Sequence, residues 1–189
     1  MDALLPKNYW MLTALVVTPA TIYASIIDYR ERRVPNWLNA ALALAGIVAG
    51  TWYFGWVGLG ASLAGLAVGF GVLIVPWAMH GMGAGDVKLM AAIGAWFGPW
   101  LTLVSFAVGA LIGGVIAVIM ILVAGKARSA YVNLQMILVK CSQPRTLFSD
   151  FASAESFGST SSLLPYGIPL TMGSLLVLAG KCMGWGVLP

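Results

Sequence analysis

Charge is what this chain has least of. Asp, Glu, Lys and Arg together make up 8% of its 189 residues, against about a quarter in an ordinary soluble domain. With 60% hydrophobic residues and a mean hydropathy of +0.93 there is too little polar surface to hold a globule in water, so the solvent is a bilayer. Histidine occurs once, as His80, and the two cysteines, Cys141 and Cys182, form no CxxC pair. Neither a metal centre nor a disulfide framework can be built from so few ligands, and no cofactor is implied. There is no collagen-like period and no polar low-complexity tract. The net charge of +4 would hint at an acidic partner in a soluble protein. In a membrane chain it reflects orientation, so the expected surroundings are lipid and not nucleic acid.

Glycine, by contrast, is abundant, at 23 residues, which suits helices whose backbones approach closely in lipid. The length leaves room for roughly five or six spans of about 20 residues each. The expected fold is therefore all-α, a single membrane-embedded domain over 1–189 with about six transmembrane helices.

The uncharged run from Tyr9 to Ile27 is 19 residues, enough for one crossing. A signal peptide is the competing reading, but Asp2 and Lys7 cancel where a signal needs net positive charge. A short basic loop follows, from Asp28 through Arg30, Glu31, Arg32 and Arg33 to Val34-Pro35-Asn36, ended by a proline that can open a helix. No formal charge appears from Trp37 to Gly85. That stretch breaks near Gly55 to Gly60 into spans Trp37 to Trp56 and Leu59 to Met79. The next uncharged run, Leu89 to Gly125, would be about 55 Å long as one helix and must fold back. Gly98-Pro99 is its natural break, giving a short Leu89 to Phe97 segment that is either spanning or re-entrant, and a full span from Trp100 to Ala124. A polar loop over 126–160, with an interfacial helix possible at 131–139, leads to a last span from Leu163 to Met183.

Lys and Arg collect in cytoplasmic loops. With the amino terminus outside, eight of the ten basic residues fall on the cytoplasmic side, and only Lys7 and Lys181 do not. The consequence is chemical. Asp28 closes the first span and Asp86 follows the third, so both acids face the same side and can meet.

An acid at a bilayer edge is functional by default. Two carboxylates a few ångströms apart cannot both ionise easily, so one holds a proton while the other stays a base. The base takes a proton from water and the acid donates to a carbonyl oxygen, which is the pairing that peptide hydrolysis needs. Gly83 and Gly85, on either side of Ala84 before Asp86, leave room for a substrate backbone to approach. Lys88 is placed to favour the ionised form of one acid. The bland readings are specific too: Asp86 as a helix cap, Asp28 as a surface partner of Arg30 or Arg32, Lys88 and the arginines as orientation signals, and the tryptophans as an interfacial belt.

The run Gly83-Ala84-Gly85-Asp86-Val87-Lys88-Leu89 resembles the GxGD signature of the type IV prepilin peptidases, polytopic aspartyl proteases. Asp28 followed by Val34-Pro35-Asn36 is similar to that family's other aspartate motif, and Pro165-Tyr166-Gly167-Ile168-Pro169 to its last-helix motif. The resemblance covers residues 28 to 169. It implies an inner-membrane, multi-pass endopeptidase without cofactor, whose substrates are prepilin and pseudopilin precursors. The cut removes their basic leader at the cytoplasmic face. Asp28 and Asp86 would be the catalytic pair, with Gly83, Gly85, Lys88, Pro35, Asn36, Pro165 and Tyr166 in support. The larger members carry a cysteine-containing cytoplasmic domain associated with methylating the new amino terminus. Having no CxxC and a short stretch before its first span, the chain resembles the short Flp/Tad-type peptidases, which implies no methylation. Archaeal preflagellin peptidases share two of the motifs. Two other classes remain: a small proton- or cation-coupled transporter using Asp28 and Asp86, and a membrane assembly subunit without catalysis. A transporter would place its acids near mid-bilayer and usually carry a repeat, and neither feature is evident.

Overall fold

A computed structural model describes residues 5–31, 34–78, 83–123 and 167–184. Helix accounts for nearly all of them: α1 (Leu5–Glu31), α2 (Asn36–Ala78), α3 (Ala84–Val123) and α4 (Gly167–Cys182). Three are long and apolar enough to cross a membrane, over Lys7–Asp28, Asn36–Ile74 and Ala84–Val123, and Gly167–Cys182 is a shorter apolar helix. The expectation of about six spans stands beside these three candidates, two of which are folded.

The folding follows from length. Straight helices of 43 and 40 residues would each be about 60 Å or more, twice the thickness of a hydrocarbon core. Both bend where the sequence has a glycine able to take a left-handed backbone: Gly55 (φ 61°, ψ −142°) and Gly98 (φ 71°, ψ 174°). These are the two sites at which the sequence predicted breaks. In α2 the arms 36–54 and 56–78 double back, with Gly50 against Gly58 and the Ser62 hydroxyl donating to the Gly46 carbonyl at 3.4 Å. In α3 the arms are 84–97 and 99–123, and Pro99 opens the second, where its missing N–H costs nothing. Met90 and Phe106 lie in one cluster with Leu73, Val87 and Leu170, although a straight helix would hold them about 24 Å apart.

The first arm of α3 is the centre of the fold. From Leu89 to Phe97 every residue is buried, so the short segment that sequence left as spanning or re-entrant is a helix surrounded by protein. Gly65 and Gly94 bring α2 against it backbone to backbone, since a Cβ on either would collide with the other's carbonyl. The Trp96 indole donates to the Leu42 carbonyl (2.9 Å), and the Tyr9 hydroxyl donates to the Trp96 carbonyl (2.6 Å), tying α1 and α2 to the end of this arm. The second arm carries α4, where Gly109 and Gly173 make the close approach. Leu15, Val48, Val57, Leu111 and Val123 face outward, as side chains in contact with lipid do.

Two boundaries differ from expectation, both by about one turn. α1 runs on to Glu31 and α3 begins at Ala84, so Asp28 and Asp86 sit within helix ends and not in the loops beside them. Helix continues because Asp28 to Glu31 contains no Gly or Pro to stop it. Pro165, Tyr166, His80, Arg32, Arg33, Cys141 and the 126–160 loop lie outside the described residues.

Candidate active site

Asp28 and Asp86 come together beneath the first residue of α4. A Cβ placed on Gly167 would lie 2.9 Å from Asp28 Oδ2 and 3.2 Å from Asp86 Oδ1. The two carboxylate oxygens therefore border one space too tight for a methyl group, and by simple geometry they are at most about 6 Å apart. Both residues are buried, at 8% and 5% exposure. The same two oxygens, Asp28 Oδ2 and Asp86 Oδ1, have no hydrogen-bond partner among the described residues. Buried polar atoms are nearly always paired, so two orphans facing one another are a feature that requires a reason.

Each carboxylate lies against a glycine backbone. Gly167, the first residue of α4, lies close against the Asp28 carboxylate, so the amino-terminal end of α4 borders Asp28 on the side of its partner. Asp86 lies in the first turn of α3, where its own N–H donates to the Gly83 carbonyl at 3.2 Å and its Oδ2 borders Gly83. Asp86 thus lies inside the first turn of α3 and not before it, and its Oδ1 borders the space it shares with the acid on α1.

The segment leading into α2 braces the glycine turn. Val34 is buried, with its Cβ 3.0 Å and its backbone N 3.1 Å from where a Cβ on Gly85 would sit. The small size of Gly85 therefore admits Val34, whereas the space beside Gly83 is bordered by Asp86 Oδ2 at an ordinary 3.5 Å. Lys88 Nζ donates to Asn36 Oδ1 at 2.8 Å on the exposed rim, so the lysine is tied to the start of α2. Pro35, half-buried, precedes α2 and its carbonyl accepts from the Asn39 N–H at 3.4 Å.

Asn39 is the residue that sequence reasoning missed. It is 4% exposed, donates through Nδ2 to the Gly85 carbonyl at 3.4 Å, and leaves its Oδ1 unpartnered. The signal was present: between Trp37 and Gly85 it is the one side-chain amide. Gly167, quoted earlier only as part of a motif, turns out to be the wall both acids face. Among the described residues no group of three or more His, Cys, Asp and Glu side chains gathers where a metal could sit.

Comparison with known proteins returns a consistent picture. The sequence profile of the type IV leader peptidase family matches residues 15–118, a stretch that holds both aspartates. The "Prepilin leader peptidase/N-methyltransferase" of Escherichia coli K12 is 38% identical over 98 residues, 48% of this chain and 43% of its own length. Proteins of the same name from Aeromonas hydrophila and Pseudomonas putida are 34% and 37% identical over 120 and 117 residues, covering 58% and 53% of this chain. The matched stretches are 41% and 39% of those two proteins, so the chain spans about two-fifths of the curated relatives it matches. No solved structure is significantly similar to it.

Proposed function

The chain belongs to the type IV leader peptidase family, and from that premise we propose that it is an aspartyl endopeptidase of the bacterial inner membrane. It removes the basic leader from prepilin-type precursors, Flp-type prepilins foremost, at the cytoplasmic face. The single observation that carries the proposal is the pair of orphaned oxygens, Asp28 Oδ2 and Asp86 Oδ1, bordering one small space under Gly167.

The chemistry follows from that arrangement. Two carboxylates so placed share one proton. The ionised member takes a proton from a water held between them, and the water oxygen bonds to the scissile carbonyl carbon. The protonated member gives its proton to the carbonyl oxygen, forming a neutral tetrahedral gem-diol. Collapse of that intermediate returns a proton to the leaving amine, the C–N bond breaks, and leader acid and mature amine separate. The proton that the pair holds is a property of both residues together. Gly167, close against both carboxylates, and Gly83, beside Asp86 Oδ2, confine the two acids, and orientation of this kind contributes to rate.

A transporter would want its acids part-way along their spans. Asp28 lies in the last turns of α1 and Asp86 in the first turn of α3, which supports hydrolysis at a membrane edge. Co-expression with a Flp-type prepilin tests the proposal: the native chain should shorten the precursor by its leader, and the Asp28→Asn and Asp86→Asn variants should not. Full processing by either variant would remove the shared-proton mechanism.

A further inference from the structure

The buried amide of Asn39 is not accounted for by the chemistry above. It stands in the first turn of α2, between the buried Leu38 and Leu42, and from Ala40 to Gly50 no polar side chain follows it. Its Nδ2 donates to the Gly85 carbonyl at 3.4 Å, and its Oδ1 meets no donor among the described residues. Stability does not explain the choice. The one bond is long, and it is set against a buried carbonyl oxygen left unpaired, which costs more than a typical net hydrogen bond returns. Leucine at this position would remove both the bond and the orphan at little net cost to folding. The amide is therefore explained by where its one bond lands.

It lands on the peptide unit that carries Asp86. The Gly85 carbonyl and the Asp86 N–H are the two edges of one planar group. The N–H edge donates to the Gly83 carbonyl at 3.2 Å, and the carbonyl edge accepts from Asn39. Resting on the peptidase reading, we propose that Asn39 is a positioning residue: its amide pins the Gly85–Asp86 peptide plane from α2, so that Asp86 Oδ1 stays turned to the space it shares with Asp28.

Three features select that role. The torsions flanking the plane are ψ of Gly85 and φ of Asp86, and they set the direction in which the Asp86 side chain leaves the backbone. The first belongs to a glycine, so without an outside hold that direction is loosely set. Val34 packs where a Cβ on Gly85 would sit, which limits how far the turn can shift, but only a bond to the carbonyl limits how far the plane can rotate. Finally, the tether is buried, unlike the exposed contact of Lys88 with Asn36 on the same two helices, so water does not compete for it. Asn39 acts through the backbone and requires no contact with substrate.

The test uses the full-length chain in detergent, with Asn39→Leu, similar in size and without a donor, and Asn39→Ala, which no crowded site can reject. Hydrogen–deuterium exchange reads the tether without reference to activity. In both variants the amides at 84–86 should exchange faster by about fivefold or more, while those at 89–97 keep their native rates. With a prepilin precursor as substrate, kcat should fall by about tenfold or more in both variants. KM should stay within about twofold of native, since binding is not what the bond serves, and the thermal midpoint of Asn39→Leu should hold. A residue that only filled space would lower the midpoint and leave kcat per folded molecule at its native value. Native exchange at 84–86, native kcat in both variants, a loss in Asn39→Leu that Asn39→Ala does not share, or a raised KM at native kcat would each overturn the assignment. A native chain that does not cut the precursor would sink the peptidase reading instead, and exchange at 84–86 would still decide whether Asn39 pins the turn.

Discussion

The two ends of this molecule handle buried polar groups in opposite ways. Around Tyr9 the rings of Trp10, Tyr53 and Phe54 meet edge-on, with centroids 5.0–5.6 Å away. The Tyr9 hydroxyl and the Trp96 indole both donate to backbone carbonyls there. At the other end three buried oxygens, on Asp28, Asp86 and Asn39, have no partner among the described residues. A fourth, Ser105 Oγ, belongs to neither end: it lies on the second arm of α3, whose backbone meets Gly173. Polar groups left unsatisfied under a bilayer cost stability. Under the proposed mechanism, their concentration around two carboxylates is stability given up for chemistry.

The comparison is most strongly tested by Asp28→Asn and Asp86→Asn. Losing one proton-transfer group should lower leader removal by about 10²- to 10⁴-fold, beyond detection in a gel assay. Because an amide carries no charge to desolvate, the thermal midpoint in detergent should hold or rise. A variant that lost helical circular dichroism would show the acids to be structural and would erase the contrast between the ends. Gly167→Ala comes next: its methyl would sit within 2.9 Å of one acid and 3.2 Å of the other. Displacing reacting groups by about an ångström costs on the order of 10²-fold, so kcat should fall by that order with the fold intact. Wild-type kcat would place the reaction elsewhere.

The opposite end should respond in the opposite sense. Tyr9→Phe leaves the Trp96 carbonyl without its buried donor, at a cost of about 1–3 kcal/mol. The expected result is a lower unfolding midpoint, read by thermal denaturation in detergent, with activity per folded molecule unchanged. If Tyr9→Phe lowered kcat without changing stability, the aromatic end would belong to the catalytic machinery after all.

Much of this division was legible beforehand. Gly98-Pro99 and Gly55 are strong local punctuation, and both are where the long helices turn. The meeting of Asp28 and Asp86 on one side followed from where Lys and Arg accumulate. What stayed hidden was the centrality of the 84–97 arm. In water, a helix surrounded by protein is more apolar than one at the surface. In lipid both are apolar all round, so Leu89 to Phe97 looks no different in sequence from the outward-facing Leu111 to Val123. Asn39 was hidden for a related reason: one amide in an apolar run does not reveal which backbone carbonyl it will meet, and Gly85 is 46 positions away.

Lys88 offers the finest discrimination. Sequence alone allowed it to act on the aspartate pair through its charge, yet its ammonium is hydrogen-bonded to Asn36 on the exposed rim. Exposed pairs of this kind contribute little. Lys88→Ala should therefore slow cleavage by no more than about threefold, with the shape and midpoints of the pH–rate curve unchanged. Asn36→Ala should match it, and the double variant should be no worse than either single change, because both remove one contact. A displaced pH–rate curve in Lys88→Ala alone would mean that its charge reaches the carboxylates, and the boundary between rim and site would then have to include it.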